Sequence, residues 1–323
     1  MPSVDETAIE RARARQGQLT KPPGSLGRLE DLACWMAGWQ GVEKPRADKV
    51  QVIVFAGNHG VTARGVSAFP AEVTVQMVAN FEAGGAAINA LCNVFGHDMQ
   101  VVPLELDRPT HDFTQEAAMS EADCLAALNA GAASVDGRAD IMVFGEMGIG
   151  NTTSASALAA AVFGGSGADW AGAGTGHSPA GIALKAQVVD EALALHEGHL
   201  DTPFEILRRL GGREIAAIAG AVAAARAKRI PVVIDGFIAS AAAGVLMPGN
   251  ENALAHCVAG HVSAEGAHKA MLTKMGLHPL LDLGMRLGEG SGAALGVQVL
   301  KAAVATHGQM ATFAEAGVSD KDG

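Results

Sequence analysis

Five short apolar runs set the limits on this chain. VQVIVFAGNHG (50–60), DMQVVPLEL (98–106), ADIMVFGEMGIGN (139–151), IPVVIDGF (230–237) and LAHCVAGH (254–261) are rich in Val, Ile and other apolar residues, and most run into a glycine turn. They lack strict apolar–polar alternation, so each reads as a strand covered on both faces. Between them lie longer stretches of helical character, such as TTSASALAAAVFG (152–164). Short buried strands separated by helices predict a parallel sheet wound by crossover helices, an α/β fold of Rossmann-like type.

The chain ends read differently. Residues 4–18 are rich in Ala, Arg and Glu, and 26–41 have apolar spacing near 3.6, which predicts two helices. Pro22, Pro23 and Gly24 must break the chain between them, with Ser25 as the expected cap of the second. An Ala-rich helix over about 292–306 is placed to pack beside them. The expected division is a small helical domain from 1–45 with 292–323, and a large Rossmann-like catalytic domain over 46–291. At 323 residues, with 49% hydrophobic against 18% charged, the chain can bury a sizeable core. Aromatics are 4% and Tyr is absent, so packing falls to aliphatic side chains.

Charge and composition exclude several classes. A formal net charge of −11 argues against a nucleic-acid surface, which needs a basic footprint. It leaves room for an anionic small ligand in a locally positive pocket. Cys34, Cys92, Cys124 and Cys257 have neither CxxC nor metal-ligand spacing and read as reduced core residues. The N-terminus lacks the apolar core of a signal peptide, and no apolar run is long enough to span a membrane. A cytoplasmic protein is expected.

The chemically suggestive residues share one position in the pattern. Asn58, His59, Glu146 and Asp235 each follow the C-terminal end of a predicted strand, the edge where open α/β sheets bind ligands. In GEMGIGNTTSASA (145–157), Gly148 and Gly150 let the backbone approach a ligand, Thr152 and Thr153 supply hydroxyls and a helix cap, and Asn151 is a further candidate substrate contact. The segment is either a phosphate cradle or a tight strand-to-helix turn; without GK[ST] it is not a P-loop. A second glycine turn, 172–176, carries Gly174, Thr175 and Gly176, with Lys185 on the following helix. Lys185 is either a cation facing a phosphate or an ordinary solvated helix residue. His59 has no HxH or HExxH partner, so no metal is expected. Phe69 and Met77 are either walls for a flat ring or plain core residues.

One further carboxylate stands out. In MRLGEGSGAALGVQVL (285–300), Glu289 sits between glycines just before an alanine-rich helix that Ser291 and Gly292 open. Taken alone, it reads as a solvated helix cap.

Together, TKPPGSLGRLE, AGNHGV, GVSAFPAEVT, GGAAIN, GEMGIGNTT, GTG, DGF and RLGEGSGAAL resemble the nicotinate-nucleotide:5,6-dimethylbenzimidazole phosphoribosyltransferase family over about residues 20–315. The resemblance implies transfer of phosphoribose from nicotinate mononucleotide to a benzimidazole, with inversion at the anomeric carbon. It implies Glu289 as catalytic base and Glu146 as a second carboxylate with an electrostatic or positioning task. The flanking glycines then clear room for the flat base, alongside Leu287. No metal or cofactor is implied, and a homodimer is. Two departures are visible: Asn58 stands where many members carry Asp, and the segment after Leu104 is shorter than in longer relatives. The alternatives are the same chemistry on another base (adenine, plain benzimidazole or a phenolic), or a non-catalytic nucleotide-binding regulator.

Overall fold

The computed structural model describes residues 1–319 except 175 and 177. Helices α1 (Glu6–Gln18) and α2 (Arg28–Gln40) lead into strand β1 (Val50–Ala56), followed by a 3-10 turn (Gly60–Arg64), α3 (Glu72–Glu82), α4 (Ala87–Phe95) and β2 (Asp98–Pro103). Then come α5 (Glu121–Ser134), β3 (Ile141–Met147), α6 (Asn151–Phe163), α7 (Gly167–Trp170), α8 (Pro179–Leu195), α9 (Pro203–Leu210) and α10 (Arg213–Ala227). The chain closes with β4 (Val232–Ile234), α11 (Phe237–Gly244), β5 (Cys257–Ala259), α12 (His268–Lys274), α13 (Ser291–Gln309) and α14 (Phe313–Ala316).

All five apolar runs form strands of one parallel sheet in the order β2-β1-β3-β4-β5. β1 and β3 are buried along nearly their whole length, which is why their sequences do not alternate, whereas β2, at the sheet edge, has no buried residue and is not covered on both faces as expected. One core layer packs around α5, α6, α10 and α11; a second lies between the opposite sheet face and α2, α4 and α13. The strand order reverses between β1 and β3. Chains leaving those two strands diverge there, which opens a crevice beyond their carboxyl ends.

Helix α2 starts two residues later than its expected cap allows. Its N-cap is Gly27, with no side-chain cap bond, rather than Ser25. The reason is local: Glu30 reaches back to accept from Leu26 N at 3.0 Å and pairs with Lys21 Nζ at 2.8 Å, so the helix closes its own entry. α2 packs against both α1 and α13, and Arg15 and Gln16 of α1 bond to His307 of α13. No helix among the described residues is long and apolar enough to cross a membrane.

Candidate active site

The crevice collects carboxylates. In the sheet register Phe55 pairs with Glu146, so the end of β3 stands beside the AGNHG loop that follows β1. Glu146 is 7% exposed and accepts a hydrogen bond from the Asn151 side chain in the first turn of α6. Burial pushes its carboxyl up to about 8, with the Asn151 bond opposing and the charges of Glu214, Asp235 and Glu289 adding to the rise. Four acidic groups from four segments therefore act on one another here.

Glu289 occupies the strained centre of its turn. It has φ +64, the left-handed region that non-glycine residues seldom enter, between Gly288 (φ +88) and Gly290 (φ +86). Close packing requires this geometry. A Cβ on Gly145 of β3 would stand 2.2 Å from Glu289 O, and a Cβ on Gly288 would stand 2.3 Å from Glu146 Oε1. The glycines thus let the turn press against the strand end. Its side chain, 6% exposed, points to α4, where Ile88 N lies 3.5 Å from Oε2. Burial raises its pKa, the Ile88 N–H opposes, and Asp235 adds to the rise.

Asp235 anchors this turn from below. Its oxygens accept from Gly290 N at 3.2 Å and Ala293 N at 2.9 Å, so it serves the N-terminus of α13. His261 approaches Asp235 at 3.5 Å, and Gly292 is small because a Cβ there would meet the His261 ring at 2.2 Å. Ser291 Oγ donates to Gly288 O at 2.7 Å, closing the turn.

On the β1 side, His59 Nε2 meets Glu214 Oε1 at 2.6 Å, with neither side chain exposed. Three glycines from three loops lie against this pair: a Cβ on Gly57, Gly148 or Gly212 would come within 2.8 Å of Glu214 or His59. Asn58 Nδ2 donates to Leu106 O at 2.8 Å and ties the β1 loop to the segment after β2.

The glycine turns divide unequally. Gly150 (φ +93) is the N-cap of α6, and Ile149 N, Asn151 N and Thr153 N are bonded to Thr74 Oγ1, Gly148 O and Gly150 O. Lys185, 2% exposed, reaches out of α8 to donate to Thr152 Oγ1 at 3.0 Å and Gly172 O at 3.4 Å. Burial lowers its pKa while the charge of Glu265 opposes the fall. A Cβ on Gly174 would stand 2.7 Å from Lys185 Nζ, so Thr152, Gly174 and Lys185 come together around one cation. Thr175 lies outside the described residues, and Gly176 (φ +114) is exposed.

Phe69 and Leu287 expose their apolar side chains, at 50% and 58%, whereas Met77 packs on the core layer that includes α13. Sequence reasoning passed over Glu214, Glu265, Arg286 and the Ile88 N–H. Glu265 lies well beyond the end of β5 at Ala259, whereas Asn58 follows β1 closely, so the strand-end rule does not single it out.

This arrangement can take a proton at Glu289, favour positive charge between Glu146 and Glu289, and hold an anion at Lys185. The chain resembles known enzymes along its whole length. A family described as phosphoribosyltransferase matches residues 1–318. The nicotinate-nucleotide–dimethylbenzimidazole phosphoribosyltransferase of Ruegeria pomeroyi is 63% identical over 99% of this chain and 94% of its own. That of Novosphingobium aromaticivorans is 61% identical over 99% of this chain and 95% of its own. The crystal structure of the enzyme so named from Thermus thermophilus superposes with a TM-score of 0.90 at 39% identity, covering 98% of this chain and 99% of that one.

Proposed function

The chain belongs to the nicotinate-nucleotide–dimethylbenzimidazole phosphoribosyltransferase family, and from that premise we propose how its residues share the reaction. The reaction moves 5-phosphoribose from nicotinate mononucleotide to 5,6-dimethylbenzimidazole, giving α-ribazole 5′-phosphate and nicotinate in cobalamin lower-ligand assembly.

In this reading Glu289 is the base. Its carboxylate takes the proton from one ring nitrogen of the benzimidazole while the other nitrogen attacks C1′ of the ribose. The C1′–N bond to the pyridinium breaks, and its electron pair leaves with nicotinate. Attack from the face opposite the leaving group inverts C1′. The supporting observation is the Glu289 turn: a buried carboxylate in a left-handed conformation, with its oxygen directed at the N-terminus of α4. Burial raises the basicity of the group, and the helix end keeps it ionisable.

Glu146 supplies charge on demand. Burial raises its pKa to about 8. A cationic pyridinium entering the crevice favours its ionised form, which then faces the positive charge developing at C1′. Lys185, Thr152 and the Gly174 turn hold the phosphate, with Asn58, His59 and Asp235 maintaining the loops around the ribose. Phe69 and Leu287, both exposed at the mouth, cover the benzimidazole, with Met77 beneath.

Residues 1–45 with 292–319 form the small helical domain in this reading, supported by the packing of α2 on α1 and α13, and the expected extension to 323 lies outside the described residues. We place the enzyme in the cytoplasm as a homodimer: its cysteines are buried and unpaired, and exposed Val94 and Leu283 offer apolar surface to a second copy. The test is direct. Incubation with nicotinate mononucleotide and dimethylbenzimidazole should release nicotinate and an α-configured product in equal amounts by NMR. Binding of both ligands without release of nicotinate would contradict it.

A further inference from the structure

Glu265 stands where a ligand phosphate would be expected to bind. It follows β5, is 7% exposed, and accepts from Gly174 N with both oxygens, at 3.1 and 3.2 Å. A Cβ on Gly172 would lie 1.8 Å from Glu265 Oε1, so the turn passes directly over the carboxylate. From the same residue, Gly174 O accepts from Arg286 Nη1 at 2.9 Å. Lys185 holds Gly172 O from α8. The backbone of 172–174 is thus gripped by one anion and two cations from three separate segments.

A backbone N–H beside a buried Lys is what a phosphate claims. The resident carboxylate and an arriving dianion repel at hydrogen-bond range, so both cannot keep the Gly174 N–H. Glu265 has somewhere else to go. It also lines a cavity of about 600 Å³, and Lys269, four residues on, lines the same cavity. A Cβ at the intervening Gly266 would meet nothing within 4 Å, so that position borders open space.

The turn also reaches the catalytic carboxylate. Arg286 precedes Glu289 by three residues. Ala264, beside Glu265, donates its N–H to Met285 O at 2.9 Å. Two hydrogen bonds therefore join the Glu265–Gly174 unit to the segment that carries Glu289.

We propose that Glu265 holds the turn in the empty enzyme and yields the Gly174 N–H to the substrate phosphate, and that Arg286 transmits the shift to the Glu289 turn, so that nucleotide and benzimidazole bind with positive coupling. Glu265 and Arg286 are then positioning residues. The inference rests on the placement of the phosphate at Lys185 given above.

Ribose 5-phosphate carries the phosphate without a leaving group, so binding can be measured without turnover. By calorimetry, saturating ribose 5-phosphate should lower the dissociation constant of dimethylbenzimidazole by about 5-fold or more, the usual lower range of such couplings. Arg286→Met should bring that factor to one while both ligands still bind. Glu265→Gln keeps shape and an acceptor but removes the charge, and should tighten ribose 5-phosphate; Lys269→Met should weaken it. An affinity for dimethylbenzimidazole indifferent to ribose 5-phosphate, or a full coupling factor in Arg286→Met, overturns the proposal. If Lys185→Met leaves ribose 5-phosphate binding unchanged, the phosphate placement fails and the latch with it. Absence of coupling in the wild type with Lys185 dependence intact overturns the Glu265–Arg286 proposal alone.

Discussion

Glu289 Oε2 lies 3.5 Å from the backbone nitrogen of Ile88, so the carboxylate of one turn is aimed at the N-terminus of a helix two hundred residues away in sequence. The relationship balances two opposing effects. Burial favours the protonated acid, while the positive end of α4 favours the carboxylate. The net rise leaves a stronger base than an exposed glutamate, which suits the proposed role of taking a proton from a benzimidazole.

Gly145 protects that geometry from the strand side. Gly145→Ala would set a Cβ 2.2 Å from Glu289 O and 2.6 Å from Gly290 N, both backbone atoms that cannot rotate away. We expect a stability loss of about 1–3 kcal/mol, typical of overpacking, in urea unfolding. Turnover of the folded variant should fall at least ~10-fold, since even a small misplacement of a reacting group is costly. Wild-type turnover in Gly145→Ala would show that the turn tolerates displacement.

Lys185→Met keeps the buried stem and removes the charge. With the phosphate at the Thr152–Gly174 turn, the loss of one charge-assisted hydrogen bond of about 1.5–3 kcal/mol corresponds to a rise of roughly 10- to 100-fold in KM for nicotinate mononucleotide. At saturating nucleotide, the KM for dimethylbenzimidazole should stay close to that of the wild type. Steady-state kinetics with each substrate varied in turn separates the two; an equal rise in both would move the phosphate elsewhere.

Glu146 gives a pH signature in the empty enzyme. Its folded-state pKa, about 8, lies above the ordinary value of 4.5, so the folded protein keeps a proton that the unfolded chain gives up first. The group's stabilising contribution is therefore complete below about pH 4.5 and is lost as pH rises toward 8. Glu146→Gln should flatten this fall. Midpoints of urea unfolding between pH 5 and 8, compared for the two proteins, measure it, and identical pH slopes would mean that Glu146 is already ionised at neutral pH.

Much of this architecture is readable in the chain because its signals are local. Non-alternating runs such as VQVIVFA announce strands buried on both faces, and the polar residues Asn58, Glu146 and Asp235, within or just past the ends of three runs, lie at the carboxyl edge of the sheet. Partnerships between distant segments are not readable in this way. Nothing near Glu214 in sequence says that it meets His59, 155 residues earlier. Asp235 illustrates the same limit: its place after β4 is plain, yet its oxygens are taken by the amides of Gly290 and Ala293. The glycines around Glu289 suggested space for a ring, but their immediate neighbours are Gly145 and Glu146. Ser25 fails as a cap for a comparable reason, since Glu30 closes the α2 entry from inside the helix.

The central claim is that Glu289 accepts the proton from the benzimidazole. Glu289→Gln keeps the shape of the side chain and removes the basic carboxylate. Turnover with saturating nicotinate mononucleotide and dimethylbenzimidazole should fall by the ~10²–10⁴-fold that loss of a general base produces. Dimethylbenzimidazole should still bind, with a calorimetric dissociation constant within ~10-fold of wild type, the span of one charge-assisted hydrogen bond at the low end. Turnover near the wild-type rate in this variant would contradict the claim and remove Glu289 from the chemistry.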